Sequence, residues 1–181
     1  MFEDKRSKRV VLVIHCILNQ NARIDSCAYY PGPMTDIVQV LSEAGAGIVQ
    51  MPCPELQCLG LDRAGRICGG RDIGIREALL GPARGACEAL VEGVLRDVLE
   101  YRKHGFGVLG VIGNDGSPAC GVDFTHHLET YFGPGEGGFV QILRERLEKA
   151  GIVLPFVATQ DFEWEERLPR IRAMVEGEER R

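Results

Sequence analysis

The chain has 181 residues, 45% of them hydrophobic and 26% charged, with a net charge of −5. That length suits one domain with a sizeable core, and the composition excludes a disordered segment. The acidic balance, with no basic and aromatic-interleaved stretch to offset it, argues against a nucleic-acid partner.

Lys5, Arg6, Lys8 and Arg9 are diluted by Glu3 and Asp4 and read as a solvated lead-in. The apolar run Val10–Ile14 is too short for a signal-peptide core or a bilayer span, so a cytoplasmic protein with no membrane partner is expected. Seven cysteines, an odd number, fit reduced thiols better than a secreted disulfide framework.

Arg9–Ile14 is aliphatic and β-branched, the pattern of a strand buried on both faces. A polar connection, His15–Pro33, follows. Met34, Ile37, Val38, Leu41 and Ala44 fall at helical spacing, with Gly45 as the stop. Gly47–Met51 reads as the second strand, ended by Pro52–Cys53–Pro54. Residues 55–81 are glycine-rich and weakly periodic, predicting a long functional loop with one short helix around Ile75–Leu80. Cys87, Leu90, Val91, Val94, Val98 and Tyr101 mark the buried stripe of a helix over Ala83–His104. Phe106–Ile112 is the third strand, and residues 113–118 form the loop to Cys120. A glycine-rich stretch, Gly133–Gly138, precedes a helix over Phe139–Lys149 and a fourth strand, Val153–Val157. Trp164, Leu168, Ile171 and Val175 space a last helix. The alternation of strands and helices predicts one α/β domain over residues 1–181, three-layered, with a mostly parallel, Rossmann-like sheet.

Cys16, Cys53 and Cys120 each follow a predicted strand. Parallel α/β sheets bind ligands beyond the carboxyl ends of their strands, so the three thiols are expected to converge. Three thiolates around one point suggest a soft metal or an iron–sulfur cluster. Zinc, with His15 or water as fourth ligand, is the alternative. As single residues, buried strand-end cysteines also serve as small hydrophobes. Cys87 reads as core. Cys58 and Cys68 could pair, bind zinc or supply a further ligand, but are expected to have no metal role, and Cys27 has no interpretable partner. His126 and His127 form a zinc pair only with distant help. The GxGG in Gly133–Gly138 lacks the rest of a dinucleotide fingerprint.

HCILNQNAR around Cys16, MPCPELQCLGLDR around Cys53 and GVIGNDGSPACGV around Cys120 resemble the desulfidases related to 2-thiouracil desulfurase. The resemblance covers about residues 9–160. The LNQN stretch and the GxDGSPxCGV pattern resemble the desulfidase-related branch more than the thiouracil enzymes themselves. It implies a 4Fe-4S cluster held by Cys16, Cys53 and Cys120, with one iron not bound by protein and open to the sulfur of a small thiocarbonyl substrate. It further implies a partnership with cluster-assembly machinery. Glu55 matches the family's catalytic acid and Ser117 its serine. His15 and LNQN stand where the thiouracil enzymes carry small residues, so a different substrate is implied.

On this reading the enzyme is a non-redox desulfidase that releases hydrosulfide. Glu55 takes a proton from water or protonates the leaving sulfur. Asn19, Asn114 and Asp115 hold the substrate's polar edge, and His15 supports the site from behind. Arg23 and Arg63 are candidates for an anionic substrate group, though arginines are more often surface charges. Rival classes are a cluster-dependent hydratase or lyase, and a non-enzymatic carrier or sensor of zinc or a cluster.

Overall fold

The computed structural model describes residues 2–63, 74–127, 132–161 and 164–177. Four parallel strands form the central sheet: β1 (Arg9–Val13), β2 (Gly47–Gln50), β3 (Gly107–Asn114) and β6 (Phe156–Thr159), in the order β2-β1-β3-β6. Val10, Val11, Leu12 and Val13 of β1 and the apolar residues of β3 are almost wholly buried, as expected where helices cover both faces. Each fully buried aliphatic side chain of this kind contributes about 1.5–3 kcal/mol. A separate antiparallel hairpin joins β4 (Phe124–His126) to β5 (Phe132–Pro134). The expected α/β architecture with a mostly parallel, Rossmann-like sheet is what the chain adopts.

The helices are α1 (His15–Leu18), α2 (Thr35–Glu43), α3 (Pro54–Leu59), α4 (Ile75–Leu80), α5 (Arg84–Lys103), α6 (Gly138–Lys149) and α7 (Trp164–Glu176). A 3₁₀ turn, Gln20–Ala22, follows α1. Three differences from the sequence reading matter for the site. The polar connection after β1 contains α1 and the 3₁₀ turn. Pro54, read as helping to end the second strand, also starts α3 at a position where its missing N–H costs nothing, with Cys53 as the N-cap. The last strand lies at Phe156–Thr159, because Pro155 sits at its entry and Val153, expected within it, is exposed.

The sheet order reverses between β1 and β3. The chain leaves β1 for β2 on one side and then returns to place β3 on the other. The carboxyl ends of β1 and β3 are therefore the topological switch point, the usual ligand position in open α/β sheets.

Candidate functional site

Cys16 lies in α1, three residues beyond the end of β1, and is half-buried. Cys53 caps α3 after β2, and its Sγ accepts the Leu56 N–H at 3.4 Å. Cys120 is buried, 8% exposed, in the turn after β3. That turn is packed backbone against backbone: a Cβ on Gly137 would stand 2.3 Å from the Ala119 carbonyl carbon and 2.5 Å from the Cys120 nitrogen. Only glycine permits this approach. The three thiols are near enough for Cys120 to feel both Cys16 and Cys53 electrostatically.

Glu55, in the first turn of α3, contributes to the electrostatics of all three. Its Oε2 accepts from Arg63 Nε at 3.0 Å. Its Oε1 accepts from Ser117 Oγ at 3.4 Å. Ser117 Oγ itself accepts the backbone N–H of Ala119 at 3.2 Å and of Cys120 at 3.0 Å. With both lone pairs engaged, the hydroxyl has its proton left to give, and Glu55 is where it points. The distance is long for an O–H···O bond, so Oε1 keeps capacity for a second donor.

Arg23 makes a two-pronged bond to Asp161, at 2.5 and 2.8 Å, close to Cys16. Asn114 Nδ2 donates to the same carboxylate at 3.2 Å. Arg23 and Arg63, read from sequence as surface or substrate-anion candidates, are thus committed to internal carboxylates. Arg63 is 1% exposed. Asp115 Oδ1 accepts the backbone N–H groups of Val122, Asp123 and Phe124, which shapes the loop leading to β4. Asn19 caps the 3₁₀ turn by accepting the Asn21 N–H at 3.1 Å. Three of the four buried side-chain polar atoms without a hydrogen-bond partner among the described residues, Asn114 Oδ1, Asp115 Oδ2 and Thr159 Oγ1, lie at the ends of β3 and β6. Arg167 forms an ion pair with Asp115 Oδ2 at 3.6 Å.

The cofactor expectation is corrected here. Among the described residues, no group of three or more His, Cys, Asp or Glu side chains is placed to hold a metal ion. The iron–sulfur and zinc assignments to Cys16, Cys53 and Cys120 therefore fall, and the metal-binding description falls with them. Burial pushes the Cys16 thiol from its ordinary 9.0 up to about 12, opposed by Arg23 and reinforced by Asp161, Cys53 and Glu55. Burial first, then Glu55, raises Cys53, and burial lifts Cys120 well above the ordinary value. Both ring nitrogens of His15 are engaged, Nδ1 with Gln50 at 3.2 Å and Nε2 with Asn19 at 3.5 Å. His126 and His127 sit apart on carbonyls, those of Gly116 and Pro134. Cys58 is free, Cys27 is disulfide-bonded although reduced thiols were expected, and Cys68 lies outside the described residues.

The raised thiols carry a pH prediction. Unfolded, they lose protons near pH 9; folded, Cys16 holds its proton to about 12. Between those values the folded state binds more protons, so stability falls as pH rises. The urea midpoint should drop from about pH 8 to about pH 10.5, and less steeply in Cys16→Ala. An equal drop in that variant removes the thiol as the cause.

The uncharacterized protein MJ0003 of Methanocaldococcus jannaschii is 32% identical over 117 residues, covering 65% of this chain and 70% of that protein. The chain belongs to that family. No family model matches the chain. The 4Fe-4S-dependent thiouracil desulfidase TudS is a structural relative, with a TM-score of 0.51 and 18% identity, covering 90% of this chain and 97% of TudS. That likeness shows a shared fold. Among the described residues no helix is long and apolar enough to cross a membrane.

Sequence reasoning missed Arg63 as a buried partner of Glu55. Nothing in LGLDR separates a buried arginine from a surface one, since the signal lies in the fold that brings residues 22, 55 and 63 together.

Proposed function

We propose that the protein is a hydrolytic desulfidase that replaces the sulfur of a small thiocarbonyl compound with oxygen from water. The observation that carries this reading is the Glu55 carboxylate, held between Ser117 and Arg63 and within electrostatic reach of Cys16, Cys53 and Cys120. The resemblance of the motifs and the fold shared with TudS support it.

The reaction converts a thiocarbonyl and water into a carbonyl and hydrogen sulfide, with no change of oxidation state. Water donates a hydrogen bond to Glu55 Oε1 and attacks the thiocarbonyl carbon, and Glu55 takes its proton. The proton held by Glu55 passes to the sulfur, the carbon–sulfur bond breaks as hydrosulfide leaves, and Glu55 takes the remaining proton from the new carbonyl's hydroxyl and passes it to the hydrosulfide, giving hydrogen sulfide. Ser117 keeps Oε1 oriented, while the neutral thiols present a polarisable, weakly donating wall to the substrate's sulfur. Asn114 and Asn19 hold the substrate's polar edge, and Asp115 and His15 shape the loops that carry them. The protein acts in the cytoplasm on a small soluble sulfur compound.

Full-length protein incubated with thiouracil, thiourea and thioacetamide should release sulfide and the matching oxo compound in equal amounts from at least one. Sulfide from none of them, under both anaerobic and aerobic handling, sinks the reading.

A further inference from the structure

We propose that Arg63 is the positioning residue that sets the direction of the Glu55 carboxylate and locks it to the turn after Cys16; this rests on the desulfidase reading above. Arg63 is 1% exposed and has a backbone φ of 51°, a left-handed conformation that side-chain-bearing residues seldom adopt. Such strain persists where surrounding contacts over-determine it. Here the contacts are specific. Nη1 donates to the carbonyls of Gly60 at 2.8 Å and Leu61 at 3.0 Å, and Nη2 donates to that of Ala22 at 2.5 Å.

Gly60 is the C-cap of α3, and Ala22 ends the 3₁₀ turn that follows Cys16. Carbonyls from two segments therefore fix the plane of the guanidinium. With that plane fixed, Nε has one direction left, and it meets Glu55 Oε2 at 3.0 Å. A carboxylate pinned at Oε2 turns Oε1 toward Ser117. An unpinned glutamate side chain samples several rotamers, and a misplacement of about 1 Å in a reacting group costs on the order of 100-fold in rate. Lysine cannot substitute, because a single ammonium lacks the planar fork that reaches both carbonyls and carboxylate. Arg63 touches none of the reacting atoms; it acts through Glu55.

The test is a double-mutant cycle on the full-length protein with Arg63→Lys, Glu55→Gln and the pair, reading both sulfide release and melting temperature. Arg63→Lys should lower kcat about 100-fold with KM changed less than about 3-fold. The pair should be no slower than Glu55→Gln alone, and the two losses in melting temperature should be less than additive. Additive effects in either readout, or a folded Arg63→Lys with wild-type kcat, overturn the proposal. Sulfide absent from the wild type while the thermal coupling stands overturns the desulfidase reading, and the catalytic role of Arg63 with it. Should Arg63→Lys fail to fold, Glu55→Asp decides. It keeps the charge but is one methylene too short to reach both Arg63 and Ser117, and wild-type kcat there overturns the proposal.

Discussion

Glu55→Gln is expected to reduce sulfide release about 1000-fold while leaving the fold in place, since general acid–base groups contribute about 10²–10⁴ in rate. The amide keeps the side chain's length and an oxygen for Arg63, but its NH2 then stands where Ser117 Oγ donates, so the Ser117 hydrogen bond is lost together with the proton acceptor. The cost in stability is that of weakening one buried charge pair whose arginine is 1% and glutamate 13% exposed. The arginine retains its three carbonyl acceptors, which limits that cost. Single-turnover sulfide release and circular dichroism on the same preparation check both halves. A variant within about 3-fold of the wild-type rate removes Glu55 from proton transfer.

Gly137→Ala is expected to lower unfolding free energy by about 3 kcal/mol, at the upper end of overpacking costs. Its new methyl meets backbone, not the end of a flexible side chain: the Ala119 carbonyl carbon at 2.3 Å and oxygen at 2.5 Å, and the Cys120 nitrogen at 2.5 Å. Relief requires moving the Cys120 turn, which breaks the 3.0 Å bond from Cys120 N–H to Ser117 and releases Ser117 from Glu55. Gly93→Ala, in the open middle of α5 with nothing within 4 Å of the new atom, is the control. It should be neutral or stabilising by up to about 1 kcal/mol, since alanine suits a helix better. Urea unfolding of both variants decides; equal midpoints remove the steric account.

These two variants also mark how far the chain's local chemistry reaches. Glu55 and Ser117 were singled out by their motifs, and the fold places them 3.4 Å apart across 62 residues of sequence. The same reasoning took Pro54 as a stop, although a proline that breaks a strand is also well suited to begin a helix. It also took three strand-end cysteines as metal ligands. Their neighbourhood supports the placement, but no metal-holding group forms among the described residues, and burial favours neutral thiols.

The architecture was legible in the residues alone, because period and composition are local properties. The aliphatic runs at Arg9–Val13 and Gly107–Asn114 can be satisfied only as buried strands, and the stripes at Met34–Ala44 and Cys87–Tyr101 only as covering helices. So was the end of the sheet at which the motif residues gather, since they all follow strands. What those residues are to one another emerged only in three dimensions. Whether a cysteine binds metal or stays a neutral thiol depends on the angles and distances among three separate loops and on the water excluded between them. Whether Arg63 faces solvent or clamps Glu55 depends on two carbonyl groups, at residues 22 and 60, that no spacing rule connects. Such pair relations arise only once the chain has closed, because hydrogen bonds and desolvation act over a few ångströms, not over sequence distance.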